Sequence, residues 1–326
     1  MNYFLAGDIG GTKTLLQISA ADGIREPLLQ KSYSSAGYAG LVEILDEFLH
    51  EAGIAEVTSA CFALAGPVSG RCVKLTNLPW AVDADAIAAR FAIGRVSLIN
   101  DFEAAGLGVA VLQPSDLNTL QAGETHAHGM RVVVGAGTGL GVALLAWQGD
   151  SYAVHPSEGG HMDFASSDAI QYELLCYLQQ RHAHVSYERI VSGPGLVTIF
   201  EFLRDSGKAI PSAQLIAALC EGDEAATIAQ FARQGDAAAA MALNLFISVY
   251  GAFVGNLALL ALPRGGIYIA GGIAAKISAQ MHNGKFMRAF RDKGRFSGLL
   301  ETLPLHIVMN PQVGLLGADM YARGHQ

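Results

Sequence analysis

Charge is scarce in this chain of 326 residues: Asp, Glu, Lys and Arg make up 15%, and the balance is acidic, with a formal net charge of −8. That gives no general attraction to nucleic acid or to an anionic membrane surface, and it favours small-molecule chemistry. Cysteine is scarce as well. Cys61, Cys72, Cys176 and Cys220 show no C-x-x-C spacing and no regular framework. A disulfide scaffold is therefore excluded, and reduced thiols in a cytoplasm are expected. The opening "MNYFLAGDIGG" has no cationic segment and no long apolar run, so no secretory leader is expected. The longest apolar stretch, "FVGNLALLALP" from Phe253, contains Asn256 and is too short to span a bilayer, which makes it a buried helix. Short repeats, low-complexity tracts and charge blocks are also missing. What is abundant is core material, at 51% hydrophobic residues, and the length sets a soft prior of about two domains.

The stretch "LAGDIGGTKTLLQIS" (5–19) resembles a P-loop at first sight. A P-loop needs G-x-x-x-x-G-K-[ST] between a strand and a helix. Here Lys13 follows Thr12 rather than a glycine, and "LLQIS" suits a second strand. The segment reads as strand, Gly-Gly turn, strand, with Asp8 at the end of the first strand. The same grammar returns in "RVVVGAGTGLGVALLAW" from Arg131, which suggests two related α/β halves, each opened by its own hairpin. Between them, 39–53 has the apolar spacing of an amphipathic helix with Gly53 at its end, and 83–93 is a second helix with Asp83 as N-cap. Strands at 56–68 and 95–101 alternate with these helices, the pattern of an α/β protein. The second half is more helical. Residues 265–277 return to strand, Gly-Gly and helix, and 303–322 give a strand, a Pro-containing turn and a closing helix.

Glycine-rich hairpin turns let a backbone approach a polyphosphate, and their successive N–H groups make anion-binding concavities. Asp8, being acidic, is suited to Mg²⁺ through water, or else is a surface turn residue. In "LINDFEAAGLG" (98–108), an apolar strand delivers Asn100 and Asp101 to its carboxyl end, where ligands sit in open α/β sheets. Asp101 is either a general base for a substrate hydroxyl or the cap of the following helix. "HPSEGGHMDF" (155–164) gathers Glu158, His161 and Asp163, a set suited to a metal, a catalytic pair or a polyol. Polyol recognition is preferred, since zinc would need further ligands. "SYERIVSGPGL" (186–196) and "IAGGIAAK" (269–276) place small residues before helices, for nucleotide contact or for close packing.

In this order the motifs "GDIGGTKT", "LINDFEAAG", "GAGTGLG", "EGGHMDF", "ERIVSGPG", "YIAGGIAAK", "FRDKGRF" (290–296) and "NPQVGLLGA" (310–318) resemble the bacterial ATP-dependent glucokinases, of the non-zinc type, within the hexokinase/actin-like ATPase superfamily. The resemblance covers essentially the whole chain. It implies two RNase H-like or actin-like ATPase domains with an interdomain active-site cleft. The small α/β domain would be 1–110, completed by about 305–326, and the large one 111–304. It further implies Asp101 as general base on the 6-hydroxyl of glucose, with Asn100, Glu158, His161 and Glu188 on the other hydroxyls. Gly7, Asp8, Ile9, Gly10, Gly11, Thr12, Gly137, Thr138 and Gly139 would line the phosphate path, with Gly271 and Gly272 by the adenosine. ATP and Mg²⁺ near Asp8, no zinc, a cytoplasmic homodimer and a glycolytic role complete what the resemblance implies. Lys13 departs from the family, which often has Asn after "GGT". The alternatives are a kinase for mannose, glucosamine or N-acetylglucosamine, a non-catalytic sugar or nucleotide sensor, or an actin-like ATPase.

Overall fold

The mostly apolar runs 3–9 and 13–20, with Gly10 and Gly11 between, fold as an antiparallel hairpin at the centre of a sheet. The computed structural model describes residues 2–21, 26–54, 56–75 and 77–324. In chain order the elements are β1 (Tyr3–Ile9), β2 (Lys13–Ala20), β3 (Leu29–Ser34), α1 (Leu41–Ala52), β4 (Ser59–Leu64), β5 (Cys72–Lys74), β6 (Ala81–Asp83), α2 (Ala84–Phe91), β7 (Arg95–Asn100) and α3 (Asp101–Val109). There follow β8 (Leu117–Gln121), β9 (Arg131–Ala136), β10 (Leu140–Gln148), β11 (Ser151–Ser157), α4 (Ala169–Gln179), α5 (Gly193–Asp205), α6 (Ala213–Leu219), α7 (Glu224–Gln234) and α8 (Ala237–Ala261). The chain closes with β12 (Gly266–Ala270), α9 (Gly272–Lys276), α10 (Ser278–Met281), α11 (Lys285–Arg291), α12 (Ser297–Glu301), β13 (Leu305–Val308) and α13 (Val313–Ala322).

The chain divides into two units. The first holds 1–116, 145–156 and 310–326; the second holds 117–144 and 157–309. The sheet of the first runs β3-β2-β1-β4-β7. Its hairpin strands are antiparallel, and β1, β4 and β7 are parallel, with Ile9, Leu64 and Asn100 in register at their carboxyl ends. Asp83 caps α2 by accepting from the amides of Asp85 and Ala86, and Gly53 closes α1 in the left-handed region at φ 64°. Helix α13 returns to pack on α3, where Gly108 admits the Val313 carbonyl and Gly317 admits that of Ala104. A buried ion pair ties α13 to β2: Arg323 Nε lies 2.8 Å from Asp319 Oδ2, and the Ser19 hydroxyl donates to Asp319 at 2.6 Å.

In the second sheet, of order β11-β10-β9-β12-β13-β8, β12 is parallel to β9 and β13, and β8 is antiparallel to β13. Its helical part is organised round α8, whose Phe246, Tyr250 and Phe253 are fully buried. Asn256 lies inside this helix and donates to the Tyr187 hydroxyl at 2.9 Å. The 25 residues of α8 carry the apolar run from Phe253 in their last third, as a buried helix. Among the described residues it is the one helix long and apolar enough to cross a membrane, and 72% of its apolar window is buried inside the fold. All four cysteines are free thiols.

Candidate active site

In the first unit the parallel strands bring three segments to one sheet edge. The turn after β1, the segment after β4 and the start of α3 all leave from in-register residues, about 5 Å apart per strand step. The turn is braced by Ser35, whose hydroxyl donates to the Gly10 carbonyl at 2.9 Å and pairs with that of Thr14 at 3.0 Å. Gly10 and Gly11 are half-exposed and Thr12 is exposed, so a ligand can reach them. Gly7 and Ile9 are different. A Cβ on Gly7 would fall 2.6 Å from Phe62 Cδ1 and 2.9 Å from Leu16 Cδ2, and Ile9 is 1% exposed. These two pack into the core, so the reachable part of the run is 10–12.

Asp8 is half-buried under the first turn of α13, where a Cβ on Gly314 would lie 3.1 Å from its Oδ2. Burial pushes its carboxyl above the usual aspartate range, opposed by the charge of exposed Lys13. The helix N-terminus nearby also favours negative charge. Asn100, not Asp101, is the N-cap of α3. Its Oδ1 accepts from Phe102 N at 2.8 Å and Glu103 N at 3.3 Å, while its Nδ2 donates to the Gly66 carbonyl at 2.9 Å. Asp101 is the first residue of the helix and half-buried. The capping role weighed for Asp101 therefore passes to its neighbour.

In the second unit the turn after β10 and β11 and the turn before α5 lie side by side. Tyr187 N donates to Met162 O at 3.0 Å and Phe164 N to Val185 O at 2.9 Å, which brings His161 beside Glu188. His161 Nε2 lies 3.8 Å from Glu188 Oε1 and 4.0 Å from Glu158 Oε2. The other oxygen of Glu188 accepts from Leu140 N at 2.8 Å, directly after the glycine turn. Gly139 leaves room for that carboxylate, since a Cβ there would fall 2.6 Å from Oε2. Asp163 stands apart from the cluster, with its Oδ1 2.8 Å from His184 Nε2. Among the described residues no group of three His, Cys, Asp or Glu is placed to hold a metal.

Behind the glycine turn opens a cavity of about 560 Å³, lined by Gly137, Thr138, Gly193, Pro194, Gly272 and Lys276 and by residues of α5 and α7. Its volume lies within the range of small-molecule sites. The register of β9 with β12 delivers the 137–138 turn and the 271–272 turn to one edge. Gly272 opens onto the cavity. Gly271 does not line it; with φ 85° and a would-be Cβ 2.6 Å from the Ala136 carbonyl, it makes the turn that places Gly272. Ser192 caps α5 by accepting from Gly195 N at 3.1 Å and donates to the Glu188 carbonyl at 2.7 Å. The motif "SGPG" pointed at this helix start. Nothing in the sequence singled out Thr198, Glu201, Asp223 or Glu224, which line the cavity from α5 and from the start of α7.

Two such sheets with glycine hairpins have the architecture of the actin-like ATPase fold, which the solved sugar kinases share. The solved glucokinase of an Antarctic psychrotroph, 27% identical, superposes with a TM-score of 0.84 over 99% of each chain. The Balamuthia mandrillaris glucokinase, solved in complex with glucose, is 24% identical, with a TM-score of 0.83 over 99% of this chain and 94% of that one. The glucokinase of Trichormus variabilis is 46% identical over 339 aligned positions, covering 99% of both chains. The family model described as Glucokinase matches residues 5–325, and this chain belongs to that family.

Proposed function

We propose that the chain transfers the terminal phosphoryl group of ATP to the 6-hydroxyl of glucose with Asp101 as general base. Asp101 takes the proton of that hydroxyl as the oxygen bonds to phosphorus, the bond to ADP breaks, and the proton then passes to solvent. Asn100, Glu158, His161 and Glu188 hold the remaining sugar hydroxyls, and the 560 Å³ cavity takes the nucleotide. The observation that carries this reading is Glu188, with one carboxylate oxygen on the amide that ends the 137–139 turn and the other beside His161. A pair that reads hydroxyls, built onto a phosphate turn, has no use in a plain ATPase.

Asp8 fits Mg²⁺ held mainly by water and phosphate oxygens, because it is a single recessed carboxylate; when bound, the ion offsets charge on the transferring group. Cytoplasmic residence, a glycolytic role and a homodimer rest on the resemblance. The test is ADP release from Mg-ATP across a panel of hexoses. Strong stimulation by glucose above mannose, glucosamine and N-acetylglucosamine is expected. Preference for another hexose reassigns the sugar pocket, and hydrolysis independent of sugar sinks the reading.

A further inference from the structure

The motif "FRDKGRF" has no part in the site above, yet it frames a second concavity. Between α8, α11 and the start of α4 lies a cavity of about 380 Å³, near the lower end of small-molecule sites. Its walls carry Lys285, Arg288 and Lys293, with Asn244 and Ser248 of α8 beside them. Several cations elsewhere are neutralised: Lys31, Arg71, Arg90, Arg181, Lys208 and Arg323 each meet a carboxylate. Among the described residues the side chains of Lys285, Arg288 and Lys293 have neither a hydrogen bond nor an ion pair.

Lys293 is built in rather than laid on the surface. Its stem lies against Gly255 of α8, where a Cβ would fall 2.6 Å from its Cε. Burial holds its ammonium below the usual lysine range, with Asp292 opposing through space. Two acids share the wall. Asp168 is occupied as the cap of α4, accepting from Gln171 N at 2.8 Å and Gln171 Nε2 at 3.2 Å, and Asp292 is exposed. Asn244 already uses its carbonyl oxygen on Asn283, which leaves its amide hydrogens as donors. In a chain of net charge −8 this is a local positive exception with neutral donors beside it.

We infer that this cavity binds a phosphate monoester of a small polyol, the phosphate between Lys285, Arg288 and Lys293 and the hydroxyls at Asn244 and Ser248. The inference is independent of the sugar-kinase reading, because binding is measured directly.

The full chain, saturated with glucose, would be titrated calorimetrically with ribose 5-phosphate, a monoester that is not the product, and with sulfate as a control for charge alone. Saturable binding of one ester per chain is expected, stronger than that of sulfate. Lys293→Met keeps the stem and should weaken it by about tenfold or more, the loss of one charge-assisted hydrogen bond. Arg288→Gln, an exposed change that leaves the packing alone, should do the same. Both should leave the initial rate of glucose phosphorylation, read before product accumulates and with no ester added, unchanged. Affinity unaltered in the variants, or sulfate binding as tightly as the ester, overturns the inference. So does a chain that binds no ester but whose self-association in sedimentation weakens in the same variants, since the cavity is then an interface between copies.

Discussion

Asp8 and Asp101 leave the same sheet edge, both half-buried, in different roles, and the roles predict different variants. Burial raises the Asp8 carboxyl on folding. Between the ordinary value of 3.8 and its higher folded value, the native state therefore binds more protons than the unfolded one, and stability falls as pH rises through that window. Asp8→Asn removes the penalty. Its thermal midpoint at neutral pH should exceed that of the parent, while turnover with Mg-ATP falls; a lower midpoint at pH 7 would contradict the assignment. Asp101→Asn should lower turnover by about 10²- to 10⁴-fold if the residue is the base. It should still fold, because Asn100 supplies the cap. Circular dichroism and steady-state rates on one preparation separate the two effects.

Elements carry the site through short backbone links, and these were unevenly legible in the sequence. Asp83 before a helical pattern and Gly53 after one are local signals, and both caps form as expected. The Asn-Asp pair at a strand end was legible for the same reason, although which residue caps the helix was not: both types cap well, and local geometry decides. Contacts of long sequence separation left no trace. Gly66 receiving Asn100, Ser35 bracing Gly10, and Gly314 approaching Asp8 are juxtapositions made by the sheet and by α13, with no spacing to read. Glu188 was named through the resemblance, whereas its hold on Leu140 N became visible only in three dimensions. That hold predicts that Gly139→Ala pushes the carboxylate aside. The KM for glucose should rise by about tenfold, the worth of a hydrogen bond to a charged group, with a smaller change in kcat. An unchanged KM would remove Glu188 from the sugar.

At the scale of the molecule, the first unit is assembled from segments far apart in the chain, and its stability rests on joints between them. The joint of Asp319, Arg323 and Ser19 lies out of reach of water, so truncating one partner strands the other's charge. Asp319→Ala should cost about 3–5 kcal/mol, read as a lower urea midpoint with native-like slope; a loss below about 1 kcal/mol would mean that Arg323 finds water instead. The seam of α13 on α3, where Gly108 and Gly317 let backbone meet backbone beside Ala104, Leu107, Leu315 and Ala318, bears on the order of synthesis. The N-terminal sheet leaves the ribosome with the seat for α13 vacant and stays unfinished until the whole second unit has been translated. The unit begun first is thus completed last. During that interval the apolar floor of the seat is what a chaperone would meet.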